Sequence, residues 1–126
     1  TVPAWLAEQL CWKLSDEYHA PKVVGGHVRI YQESELRSKL ITAGLEPAGA
    51  HQAHALHSPY WWLKCAVWPT NDDNPFVKAY HRLLVWDIVE APWITRTADR
   101  LLNPLIGKSI VLYAHKPMTI EAANAA

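Results

Sequence analysis

Glycine is scarce in this sequence. Five glycines are spread over 126 residues, and only Gly25 and Gly26 are adjacent. No G-x-G-x-x-G follows an apolar run, so these residues hold no glycine-rich nucleotide turn. Cysteine is rarer still. Cys11 and Cys65 stand far apart among apolar neighbours, and neither belongs to a C-x-x-C. That removes the zinc and redox motifs and leaves two buried, reduced thiols as the expectation, in a cytoplasmic protein. An excess of charge of either sign is also missing, with 12 basic and 12 acidic side chains, which argues against nucleic acid as a partner. Apolar runs are short and broken by Lys64, Asp87 and Arg100. None reaches the roughly 18 residues of a transmembrane helix. Residues 1–15 carry neither the basic start nor the cleavage site of a secretory signal. No serine lies in a G-x-S-x-G, so nucleophilic serine chemistry has no support.

What the sequence does hold is apolar and aromatic. Half the residues are hydrophobic, and seven are tryptophan. The length suits one domain. Leu6, Leu10 and Leu14, with Trp5, sit near helical spacing and predict a helix over 5–15. Pro21 and Gly25-Gly26 make 19–26 a loop, and residues 27–31 form an extended lead into the next element. The helix over 33–43 has Leu36, Leu40 and Ile41 as its apolar stripe. It takes Gln32 as N-cap and Gly44 as a left-handed stop. Residues 45–56 are a strand candidate made irregular by Pro47 and Gly49. Ser58-Pro59 and Asn74-Pro75 each read as an N-cap followed by proline at the first helical position. They predict helices over 59–68 and 75–90, with a loop between. A further helix covers 94–102. The run SIVLYA predicts a buried strand within 108–115. The Ala-rich residues 118–126 read as a disordered tail. The pattern is that of an α/β domain.

GGHVRIYQESELRSKLITAGLEP resembles a piece of the class I (type 11-like) S-adenosylmethionine-dependent methyltransferases. In that family an H-x-R-x-aromatic stretch leads through a capped helix to an Ala-Gly turn and the sixth strand. The matching positions are His27, Arg29, Tyr31, the 33–43 helix and Ala43-Gly44. The opening Thr-Val-Pro is similar to the end of the fifth strand, and SIVLYAHKP to the seventh. The resemblance spans 1–117 in order, with a helical insertion over about 58–104 acting as a lid. It implies the C-terminal portion of a Rossmann-like fold. The implied sheet is mostly parallel, with its last strand antiparallel between the fifth and sixth. It also implies methyl transfer to a small apolar or aromatic acceptor. S-adenosylmethionine would be bound mainly by residues before Thr1, so this chain alone is expected to be inactive. A sheet without its first strands would leave an edge and an apolar face exposed, which favours self-association, including a homodimer.

Several residues then become candidates. Methyl transfer needs alignment of acceptor and donor, which is a proximity effect. A base is needed only where the acceptor must lose a proton, and histidine suits that near neutral pH. His27 and His57 are the candidate bases. Arg29, Tyr31, His54, Tyr60 and Trp61 are the candidate acceptor contacts. Arg29 has a second reading, in which it pairs with Asp16 or Glu17 and pins the loop. His51, His54 and His57 are spaced by three, which on a helix could serve a metal. Pro47 and Gly49 favour extended chain, where His51 and His57 share a face and His54 does not. No carboxylate lies among them, and no metal is expected. Tyr60, Trp61, Trp62, Trp68, Tyr80, Trp86 and Trp93 make the insertion aromatic. They read either as core packing or as the wall of a pocket. A non-enzymatic binding or dimerisation module using these tryptophans is the competing reading.

Overall fold

The computed structural model describes residues 1–18, 27, 29–67 and 73–117. The elements run β1 (Val2–Pro3), α1 (Trp5–Leu14), α2 (Glu33–Thr42), β2 (Glu46–Ala53), α3 (His57–Val67), α4 (Pro75–Glu90), α5 (Trp93–Ile106) and β3 (Ser109–His115). Gly25, Gly26, Trp68 and the 118–126 tail lie outside the described residues.

The mostly parallel Rossmann-like sheet implied by the methyltransferase resemblance is not what these residues form. Three strands pair in the order β1-β3-β2, and β3 runs antiparallel to both neighbours. It holds the middle place that the resemblance gives the closing strand, but no parallel ladder accompanies it. Among the described residues the one parallel contact is an isolated bridge between Ala4 and Tyr31. The cause is local. Ser58 Oγ donates to the Ile106 carbonyl (2.6 Å), and Asn103 Oδ1 accepts from the Ala55 N–H (2.9 Å). These bonds hold the end of α5 beside the end of β2. The chain leaves α5 at Gly107 and must run back along β2, so Ser109 faces Ala53 and His115 faces Glu46.

Gly107 makes that turn possible. A Cβ there would lie 2.5 Å from the Gln52 Cβ and 2.7 Å from the Asn103 carbonyl oxygen. The wall of β2 and the last turn of α5 therefore meet across a bare backbone.

α2 ends as its sequence predicts. Gly44 takes φ 78°, its N–H reaches the Ile41 carbonyl (2.9 Å), and the Leu45 N–H reaches the Leu40 carbonyl (2.9 Å). This is the paired closure in which a left-handed residue satisfies two terminal carbonyls. Gln32 makes no side-chain cap, and Ile41 is exposed. α4 starts where expected: Asn74 Oδ1 accepts from the Phe76 and Val77 N–H groups, with Pro75 in the first turn. α3 begins at His57, two residues earlier than expected, and Ser58 bonds across to α5 rather than capping. α5 continues through Pro104 to Ile106.

The stripe read on α1 is also corrected. Trp5, Leu6 and Leu14 are exposed, while Ala7, Glu8 and Cys11 are buried. Small side chains on that face let α1 approach α3, where Trp62 donates to the Ala7 carbonyl (3.1 Å). Cys11 and Cys65 meet thiol to thiol between the two helices. The contact between the two thiols lowers the Cys11 pKa and, together with burial, raises that of Cys65. A small apolar cluster of Ala4, Ala7 and Ile110, flanked by Val2 and Leu112, sits where α1 covers the sheet.

Candidate functional site

The loop between β2 and α3 is held from two sides. The Leu56 N–H donates to Asp99 Oδ1 (3.1 Å) on α5, and the Tyr80 hydroxyl on α4 donates to the Leu56 carbonyl (3.0 Å). This clamp fixes His54 in the left-handed region at φ 63°. Histidine visits that region more readily than most side chains, but it is a strained conformation kept only where the surroundings dictate it. The result sets the His54 ring edge-on to His57, with centroids 5.5 Å apart.

The two rings open onto a cavity of about 450 Å³. Its walls add Trp61 from α3, Asp87 and Ile88 from α4, Arg96 and Asp99 from α5, and Lys108 from the start of β3. The lining is mixed in charge. Burial is the main reason that His57 holds its proton less readily than a free histidine. The neighbouring His54 and Lys108 push the same way, while Asp99 and Asp87 oppose them. His57 is therefore a neutral imidazole near pH 7, free to accept a proton. Asp87 is 6% exposed, and its Oδ1 has no hydrogen-bond partner. The nearest cation, Arg96 Nε, stands 3.8 Å from that oxygen, because the Arg96 guanidinium donates instead to the Asp87 carbonyl (3.0 Å). That oxygen is closed off from solvent, so its charge is met by Arg96 and not by a ligand in the cavity.

A second polar group stands behind Lys108. Its ammonium bonds Glu8, which is fully buried, and lies 5.8 Å from the centre of the Trp61 ring. The other oxygen of Glu8 is 3.0 Å from His27 Nδ1. Lys108 thus joins the cavity wall to the buried Glu8–His27 contact.

His54, His57 and Trp61, all singled out from the sequence, are brought together here. Tyr60 lies next door, packed on Tyr80 and His81. His27 is placed against Glu8 and not in the cavity wall. Arg29 is exposed, and Tyr31 lies on the α2 side with Lys39 over its ring. His51 stacks on Tyr113 in the sheet, so the face-sharing pair is His54 with His57 and not His51 with His57. Among the described residues no group of three or more His, Cys, Asp or Glu is placed to hold a metal ion. Glu8, Asp87, Arg96, Asp99 and Lys108 were missed. One signal was available: Asp87 interrupts the apolar run from Leu83 to Val89, and a charge on such a stripe needs a partner.

The described residues do not fit S-adenosylmethionine itself. Gly44 caps a surface helix, Gly49 lies in a strand, and the space beside Gly107 is filled. None forms a phosphate- or nucleoside-cradling turn at a helix start. No protein-family model, curated protein or solved structure matches the chain. No helix among the described residues is long and apolar enough to cross a membrane.

Proposed function

We propose that the His54–His57 cavity takes the acceptor of a group-transfer reaction, with His57 as the proton acceptor. The group is the methyl of S-adenosylmethionine, as the resemblance around His27, Arg29 and Tyr31 implies, so the chain supplies the acceptor side. One observation carries the assignment: the His54 and His57 imidazoles meet edge-on, 5.5 Å apart, at a cavity walled by carboxylates, cations and Trp61. The sequence led to an apolar or aromatic acceptor. The walls expose more apolar than polar surface, which suits such an acceptor, and their carboxylates, cations and imidazoles suit one that also carries a hydroxyl.

In this reading an acceptor hydroxyl lies against His57 Nδ1 or Nε2, which takes its proton as the oxygen forms its new bond. Asp99 accepts from a further hydroxyl, and Trp61 covers the apolar edge of the ligand. A positioned base contributes about 10²- to 10⁴-fold in rate.

The test has two parts. S-adenosylmethionine is titrated calorimetrically into this chain and into one extended upstream. Binding to the extended chain alone supports a split between cofactor and acceptor sides, and binding to neither overturns methyl transfer. With the extended protein, S-adenosylhomocysteine release is then followed against pools of hydroxylated small molecules. His57→Gln is expected to lower kcat by at least about 10²-fold. An unchanged kcat removes His57 from the chemistry.

A further inference from the structure

We propose that Cys11 and Cys65 form a redox switch, in which hydrogen peroxide joins them in one disulfide across the seam between α1 and α3. The proposal rests on the packing of those two helices and not on the function assigned to the His54–His57 cavity.

The argument begins with placement. The sequence holds two cysteines, far apart along the chain, and the fold carries both to one point as free thiols. Cys11 is 0% exposed and Cys65 1%, so each meets the other and not solvent. The seam around them is close. Ala7 offers little side chain, and Trp62 on α3 donates to its carbonyl (3.1 Å). A disulfide sets its sulfurs about 2 Å apart, so passage from thiol contact to bond asks for a movement on the order of 1–2 Å. Packing alone would set the two thiols among aliphatic side chains. Here Lys108 and Glu8 stand near enough to act on both. Contact with Cys65 is the main reason that Cys11 loses its proton more readily than a free cysteine. The Lys108 ammonium adds to this, while burial and Glu8 oppose it. Cys65 is pushed the other way. One sulfur is thus prepared as the nucleophile and the other as the thiol that resolves it.

The chemistry balances in two steps. The Cys11 thiolate attacks one oxygen of hydrogen peroxide. An S–O bond forms as the O–O bond breaks, and the departing hydroxide takes up the proton that Cys11 gave, leaving as water. Cys11 is now a sulfenic acid. The Cys65 sulfur then attacks the Cys11 sulfur. The S–S bond forms, the S–O bond breaks, and the oxygen leaves as a second water with the Cys65 proton. Two electrons have passed from the thiols to the peroxide. Burial selects this oxidant, because a molecule near the size of water reaches the seam where a bulky disulfide does not. The bridge also bears on the cavity wall. Glu8 lies one turn before Cys11, and Trp61 one turn before Cys65. Lys108 stands between them, bonded to Glu8 and 5.8 Å from the centre of the Trp61 ring. A bond between residues 11 and 65 ties together the helices that hold this corner.

The full chain, reduced and then treated with equimolar hydrogen peroxide, tests the switch. Remaining thiols are alkylated in denaturant and the product is read by mass spectrometry. The expected product has lost two hydrogens, takes no alkyl group and yields one peptide pair linking residues 11 and 65. Its rate of formation should not depend on protein concentration, and dithiothreitol should restore both thiols. Cys65→Ser should stop at a Cys11 sulfenic acid, trapped by dimedone, and Cys11→Ser should consume peroxide at least about tenfold more slowly. Hydrogen exchange at the Trp62 indole reads the seam itself, and should be at least about tenfold slower in the oxidised parent chain. The parent chain decides the matter even where a variant fails to fold. No 11–65 disulfide, a disulfide between chains in its place, or unchanged Trp62 exchange after oxidation overturns the proposal.

Discussion

Glu8 is the residue on which most depends. It is fully buried, bonded by Lys108 and approached by His27. Removing one partner of a buried ion pair leaves an uncompensated charge, which costs about 3–5 kcal/mol. Lys108→Met should therefore destabilise the chain by about that amount in urea unfolding. Replacing both, as Glu8→Leu/Lys108→Met, should restore most of the loss, because two apolar side chains of similar volume carry no desolvation cost. If the double variant is as unstable as the single one, the pair is not what the charge was costing. At the same scale His57 gives a pH dependence. Its folded pKa lies below its unfolded value, so the unfolded chain binds the extra proton. The contribution is therefore fully present above the ordinary histidine pKa and is lost as pH falls through it toward the lower folded value. Thermal unfolding followed from pH 8 to pH 5 should show His57→Gln flattening this part of the profile. Single residues were also where the sequence was least legible. His54, His57 and Trp61 stood out by residue type, but Glu8 and Lys108 lie at opposite ends of the chain. Only the packing of α1 against the start of β3 brings them together.

At the level of elements the sequence was clearest where side chains act on their own backbone. Asn74-Pro75 opens α4 and Gly44 closes α2, both through hydrogen bonds within a few residues. Asn74→Ala should cost about 1 kcal/mol in thermal or urea unfolding, the usual loss of a bonded N-cap. A change near zero would mean that α4 frays at that end. Where distant contacts decide, the reading failed. Ser58 looks like a cap, yet it serves as a strut to Ile106. The α1 stripe of large apolar residues looks like a core face, yet close approach to α3 selects Ala7 and Cys11. Pro104 looks like a stop, yet α5 carries on to Ile106. Gly107 has no local signature at all, since its φ of −52° is open to other residues. Its role comes from Gln52 and Asn103. Gly107→Ala should destabilise by about 1–3 kcal/mol, as overpacked sites do. A neutral result would show that β2 and α5 can separate there without loss.

Over the whole molecule, the α/β class was legible, and the arrangement of the sheet was not. Alternation and turn residues locate strands, but pairing direction is settled by where α5 delivers the chain. Much apolar surface remains uncovered. Phe76, Ile88 and Val89 on α4 are exposed, as are Trp93, Leu101 and Leu105 on α5. Monomers seldom display such a patch without use for it. The chain should self-associate, with a melting temperature that rises with protein concentration. Leu101→Asp combined with Leu105→Asp should lower the sedimentation coefficient to that of a single chain. A concentration-independent, monomeric transition for the parent chain would contradict this.

The central place of β3 also sets an order of events during synthesis. Val2 pairs with Ile110, and Ala53 with Ser109, so both flanking strands wait for the same late segment. A nascent chain ending near Asn103 would have every helix nearly complete and no sheet. Lys108, needed to neutralise Glu8, emerges with that last strand. Until then Glu8 has only His27 beside it. The passage from protease-sensitive to protease-resistant chain should therefore come as one step, when β3 clears the exit tunnel.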